Sequence, residues 1–216
     1  MPSRGRGSLI GAVALVLVAG LVSGRSALGQ EAGGASFVDV PVYVQQRNLS
    51  CEYAALTIAT GAWGNPVSEW AFDDLVGWSA NPHWGFRGDI TGWWGNTDDY
   101  GVYPEALVGP LADFGFAGEV LYGQGDASVL TDHLNAGKPV VVWLGLWGDQ
   151  SFYAYADDGT PFKLTPGYHV VVAYGYDANG VYVSDPAKGD YGFYDWGTFM
   201  TDWNVLDDMA LAVAPA

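Results

Sequence analysis

The chain contains one cysteine, Cys51, and three histidines, His83, His133 and His169. A lone thiol cannot form an intramolecular disulfide. It is therefore either a small buried hydrophobe or a thiol put to use. Cys51 opens an apolar stretch in which Ala54, Ala55, Ile58 and Ala59 recur at helical spacing, and Ser50 stands where an N-cap belongs. A helix over Cys51 to Trp63 would place the sulfur against the positive end of the dipole and against unpaired amides, which favours thiolate. The dipole alone leaves that charge incompletely stabilised. An imidazole partner is therefore expected, giving a pair able to attack a carbonyl.

Of the three histidines, His133 sits mid-helix between Asp132 and Leu134 and reads as a surface residue. His83 lies in a loop rich in Trp and Gly, where it can line a cleft. His169 begins the apolar run Val170-Val171-Val172-Ala173, and the next strand, Val181 to Ser184, ends in Asp185-Pro186. A tight hairpin across Asp177-Ala178-Asn179 would return Asp185 to His169, where a carboxylate can fix the imidazole tautomer. The same Asp-Pro also suits a plain turn cap. Gln45, six positions before Cys51, can supply an amide to an oxyanion; Gln46 competes, and strand alternation allows only one of them to face the cleft.

The elements that must hold these groups follow from the rest of the chain. Phe37 to Val44 alternates like an edge strand, and short helices are expected at Val67 to Leu75, at Pro104 to Phe114 with a break near Gly109-Pro110, and at Ala127 to Ala136. Strands are expected at Pro139 to Leu144, Tyr168 to Tyr176, Gly180 to Ser184, Phe193 to Trp196 and Met209 to Val213, with a helix at Thr198 to Trp203. Helices first and strands later predict an α+β domain with a largely antiparallel sheet. Trp63, Trp70, Trp78, Trp84, Trp93 and Trp94 crowd the segment before Gly101. They read first as core and cleft wall, and secondly as faces that grip sugars or peptides.

Residues 1–29 carry Arg4 and Arg6, an apolar run from Leu9 to Val22 and Ala27-Leu28-Gly29, the pattern of a secretory signal peptide too short to span a membrane comfortably. A flexible lead is expected over 30–37 and one domain over 38–216, with no membrane attachment after cleavage. The whole chain has 8 basic and 24 acidic residues; three arginines leave with the signal, so 5 basic residues remain and the mature net charge is −19. That surface repels nucleic acid and anionic lipid. No His or Cys spacing suggests a metal site, and no cofactor is expected.

The strings Val40-Pro41-Val42-Tyr43-Val44-Gln45 and Leu49-Ser50-Cys51-Glu52-Tyr53-Ala54-Ala55-Leu56 resemble the N-terminal motif of the peptidase C39-like family, of papain-like fold. Asn81 to Ile90, Asp99 to Tyr103, Gly167 to Val172 with Gly175-Tyr176, and Val183-Ser184-Asp185-Pro186 are similar to it in the same order. The resemblance implies Cys51 as nucleophile, His169 as general base, Asp185 as orienting residue and Gln45 as oxyanion donor, acting on a peptide or peptidoglycan-like substrate. A silent binding module and an acyltransferase using the same Cys-His chemistry are the alternatives. The bacteriocin-processing branch carries glycine right after the cysteine, where this chain has Glu52. A negative charge there would raise the thiol pKa and oppose the dipole.

Overall fold

The computed structural model describes residues 1–2 and 34–216, so nearly all of the signal peptide and the start of the lead lie outside the described residues. From the lead onward the chain runs through β1 (Ser36–Phe37), α1 (Cys51–Gly61), α2 (Glu69–Asp73), a 3-10 turn (Pro104–Leu107) and α3 (Val108–Asp113). Then come β2 (Phe116–Tyr122), α4 (Ser128–Asn135), β3 (Val140–Gly145), β4 (Phe152–Tyr155) and β5 (Pro161–Leu164). It closes with β6 (Tyr168–Tyr176), β7 (Gly180–Asp185), β8 (Asp190–Asp195), α5 (Trp196–Asn204) and β9 (Met209–Pro215).

One antiparallel sheet organises the domain, in the order β2-β9-β3-β6-β7-β8, with β1 joined to β6 and the β4–β5 hairpin separate. All six residues of β3 are buried, as an unbroken apolar run requires when both faces of a strand are covered. Its side chains alternate between two cores. Val141 and Trp143 join Val170, Val172, Leu211 and residues of α1; Val140, Val142 and Leu144 join Val171, Ala173, Leu130 and Leu134 of α4, and Phe199 and Trp203 of α5.

Every residue of α1 from Cys51 to Thr60 is buried, the mark of a helix enclosed on all sides. Ala54, Ala55 and Ala59 keep it slim. Its internal hydroxyls are satisfied locally: Thr57 donates to the Tyr53 carbonyl at 3.2 Å and Thr60 to that of Leu56 at 2.7 Å. The result is an α+β domain with the cysteine helix laid on an antiparallel sheet.

Several elements depart from the sequence expectations. Of the strand expected over Phe37 to Val44 only Phe37 pairs in the sheet, within β1 (Ser36–Phe37), with one further bond from the Val38 amide to the Tyr174 carbonyl. Pro41 cannot donate to a ladder. Beyond it, side chains take over: Ser184 Oγ donates to the Pro41 carbonyl and Tyr191 Oη to that of Val40. Three strands were not expected from the sequence, β2 and the β4–β5 pair. Ser50 does not cap α1 through its side chain; its hydroxyl donates to the Arg47 carbonyl at 3.1 Å instead. Among the described residues no helix is long and apolar enough to cross a membrane.

Candidate active site

Cys51 begins α1 at the end of a braced loop. Glu69 of α2, fully buried, accepts from the Gln46 amide at 3.2 Å, Arg47 pairs with Asp73, and the Arg47 guanidinium lies 4.1 Å over the Trp70 ring. The Cys51 thiol donates to Glu52 Oε2 at 3.4 Å. Burial pushes the Cys51 thiol well up, the adjoining Glu52 carboxyl adds to this, and the Val170 amide opposes it. The thiol is only 5% exposed.

The β6–β7 hairpin turns at Asp177, whose carboxylate accepts from the amides of Asn179 at 2.7 Å and Gly180 at 3.2 Å. The return strand ends at Asp185, whose Oδ1 lies 2.7 Å from His169 Nε2. A carboxylate there accepts a hydrogen, so Nε2–H is the donor and Nδ1 is left as the ring's basic nitrogen. Asp185 also caps its own turn, taking the Ala187 amide at 2.9 Å, and pairs with Lys188 Nζ at 3.1 Å. Asp185 is therefore both beside the His169 ring and within its own turn. Burial alone would raise its pKa; the His169 hydrogen bond and charge, with Lys188, outweigh burial and bring it down to about 2.

Cys51, His169, Asp185 and Gln45 line one cleft of about 350 Å³, walled by Trp94 and with Lys188 at its side. Gln46 does not line it. Gln45 is held there by its amide N–H on the Pro186 carbonyl at 2.9 Å, but its side-chain Nε2 donates to the carbonyls of Arg47 at 2.9 Å and Asn48 at 3.0 Å. Its Oε1 is buried without a partner among the described residues. The other two histidines stand apart from this cleft: His83 faces Glu105 and a separate cavity, and His133 lies 3.9 Å from Glu119.

The tryptophan cluster corrects an expectation. Trp63, Trp70, Trp78, Trp84, Trp93 and Trp94 are all exposed, by 38% to 85%, whereas the tryptophans that fill the cores are Trp143 and Trp203. Trp94 is nonetheless fixed, with Nε1 on the Tyr168 carbonyl at 2.7 Å and its ring edge-on to Trp147 at 5.0 Å. Gly167, at φ +70°, is required beside it, because a Cβ would enter the Trp147 ring. Sequence reasoning reached Trp94 as cleft wall but not Tyr168 or Lys188 as neighbours of the site. The one available signal for these two was their place beside His169 and three residues after Asp185. Among the described residues no group of three or more His, Cys, Asp or Glu side chains is placed to hold a metal ion.

Three solved structures share this architecture. A candidate C39-like peptidase from Bacillus anthracis aligns with a TM-score of 0.71 at 22% identity, covering 85% of this chain and 98% of its own. The peptidase domain of Streptococcus ComA, a bifunctional ABC transporter of a quorum-sensing pathway, aligns at 0.52 and 15% identity over 82% and 98%. A double glycine motif protease from an AMS/PCAT transporter, solved with a leader peptide, aligns at 0.50 and 13% over 84% and 95%. At these identities the likeness is one of fold. No curated protein matches the chain. Residues 37–211 match the Peptidase_C39 like family, which spans the sheet, the cysteine helix and the histidine hairpin together; the chain belongs to that family.

Proposed function

We propose that this protein is an exported cysteine hydrolase that opens amide bonds in peptides or cell-wall peptides. His169 Nδ1 takes the Cys51 thiol proton, and the sulfur adds to the amide carbon. The C–N bond then breaks as His169 returns that proton to the leaving amine, leaving a thioester on Cys51. Water, deprotonated by His169, attacks the thioester and restores the thiol. Asp185 orients the ring throughout. Gln45 serves the oxyanion once a substrate carbonyl draws its amide away from Arg47 and Asn48.

The observation that carries this reading is the His169–Asp185 bond at 2.7 Å through Nε2, which leaves Nδ1 as the basic nitrogen in the cleft that Cys51 lines. The acidic surface favours neutral or cationic substrates. Hydrolysis of a panel of fluorogenic peptides and cross-bridge peptides tests it. Cys51→Ala is expected to lower the rate by roughly 10⁴-fold or more, the scale seen when a nucleophile is removed from a triad; full activity in that variant refutes the assignment.

A second reading, a binding module that no longer turns over, is favoured by the 5% exposure of Cys51 and by the two loop carbonyls that occupy the Gln45 amide. Iodoacetamide separates the two. A thiolate–imidazolium pair alkylates at mildly acidic pH and an inert buried thiol does not.

A further inference from the structure

Glu52 directly follows Cys51 and is fully buried. Its Oε1 accepts the Tyr168 hydroxyl, a short contact, and the Val102 amide at 3.0 Å, while Oε2 faces the Cys51 sulfur at 3.4 Å. The groups around it come from three directions: Cys51 and Tyr53 from α1, Tyr168 from β6, and Tyr100, the Val102 backbone and Tyr103 from the loop before the 3-10 turn. Burial keeps the pKa of each of these tyrosines raised, so none carries charge near neutrality. Among the described residues no lysine, arginine or histidine forms an ion pair with Glu52. The backbone is shaped to this carboxyl: at Gly101, φ +149°, a Cβ would run into both Glu52 Oε1 and the Tyr168 hydroxyl.

A buried carboxylate without a cation is costly, and a second negative charge 3.4 Å from it is costlier still. We propose that Glu52 is a positioning residue that must itself carry a proton for Cys51 to become the reactive thiolate, so that the pair holds one negative charge and never two. The proposal rests on Cys51 being the nucleophile, as argued above.

The protons balance as follows. In the reactive form the thiol proton resides on His169 Nδ1 and a further proton, taken from solvent, resides on Glu52, whose O–H donates to the sulfur. When pH rises that extra proton leaves. The negative charge then settles on Glu52, the imidazolium proton returns to sulfur, and the thiol donates to Oε2, the contact seen at 3.4 Å. Burial raises the Glu52 carboxyl above its ordinary range, against its hydrogen bonds from Tyr168 and Val102. The transition is thereby moved upward from the ordinary carboxyl range. Tyr168 ties the device to the base, since it precedes His169 on β6 and donates to the carboxyl of the residue that follows Cys51.

The test is the rate of Cys51 alkylation by iodoacetamide against pH, read by mass spectrometry on wild-type protein, Glu52→Gln and Tyr168→Phe. Wild type should show a falling limb, by up to about tenfold per pH unit for loss of one proton, before the ordinary thiol ionisation raises the rate again. Glu52→Gln, which retains a donor beside the sulfur but cannot ionise, should lose that limb. Tyr168→Phe, which removes a donor to the charged carboxylate, should move it to higher pH. A purely structural Glu52 would change stability and leave the profile's shape alone. A wild-type rate that is flat or rises throughout overturns the proposal while leaving Cys51 reactive. A thiol inert at every pH in wild type and Glu52→Gln overturns it together with the hydrolase reading. Should Glu52→Gln fail to fold, the wild-type limb and its displacement in Tyr168→Phe decide.

Discussion

Among the described residues, two histidine–carboxylate pairs have the same length. His169 Nε2 meets Asp185 Oδ1 at 2.7 Å, and His83 Nδ1 meets Glu105 Oε2 at 2.7 Å. The first is buried, with side chains 9% and 4% exposed; the second stands half open at 26% and 36%. The nitrogen engaged differs as well. Asp185 takes Nε2 and leaves Nδ1 beside a cleft that also holds the protein's single thiol. Glu105 takes Nδ1, its other oxygen accepts the Tyr122 hydroxyl at 2.5 Å, and the His83 ring packs edge-on against Tyr103 at 4.8 Å. The cavity of about 220 Å³ next to His83 is lined by Tyr122, Tyr153 and Lys163, with no thiol, serine or threonine among its lining residues. A charge-assisted His–carboxylate bond is thus a way of holding a ring, and what the held ring can do depends on the group facing its other nitrogen.

The sharpest break in this comparison is to remove each ring in turn. His169→Ala is expected to lower hydrolysis by roughly 10²–10⁴-fold, the range attributed to a general base, while His83→Ala leaves kcat/KM within about twofold of wild type. Equal losses in the two variants would mean that the cleft has been misplaced.

Replacing the carboxylates sharpens it further. In Asp185→Asn the amide cannot favour an imidazolium, and a loss of about 10²-fold is expected, the lower end of the general-base range, because the ring itself remains. The pH dependence carries a sign. The folded pKa of Asp185, about 2, lies below the ordinary aspartate value near 3.9, so its contribution to stability is complete above about pH 4 and is lost as pH falls toward 2. Wild-type protein should lose stability across that window in acid denaturation, and Asp185→Asn should lose less there. Glu105 is also depressed, its hydrogen bonds from His83 and Tyr122 overcoming burial. Glu105→Gln is expected to cost about 1 kcal/mol in chemical denaturation, the usual scale for one hydrogen-bonded partner, with activity unchanged.

What was legible in the sequence divides along physical lines. The β6–β7 hairpin was readable because its turn is made by a local Asx interaction at Asp177 and its strands are apolar throughout. The start of the cysteine helix was readable from one apolar stripe, although Ser50 spends its hydroxyl inside the preceding loop. β2 was not readable, because Gly118 interrupts its pattern and its partner, β9, lies at the far end of the chain. Nor were β4 and β5, which pair only with each other. Of the tryptophans before Gly101, Trp94 walls the cleft as expected, but the expectation that they fill the core failed, because large aromatics are more often interior than exposed. Glu52 was conspicuous as a residue type, but its burial depends on Val102 and Tyr168, 50 and 116 positions away. No local pattern encodes such a cage.

The smallest expected effect concerns Lys188, which distinguishes the two pairs once more: Asp185 has a cation on its second oxygen, at 3.1 Å, where Glu105 has a phenol. Lys188 is largely exposed, at 70% of its side chain, and water and salt screen its charge, so the pair contributes at most about 1 kcal/mol. Lys188→Ala still leaves Asp185 with the His169 ring and the Ala187 amide. Activity in that variant should fall by less than about fivefold, consistent with that ceiling, and the difference should shrink as ionic strength rises because the lost interaction is itself screened. The acid limb should move to slightly higher pH, since one of the groups that depress Asp185 is gone. A loss as large as that of Asp185→Asn would instead assign Lys188 a direct contact with substrate, for which its place on the cleft wall is suited.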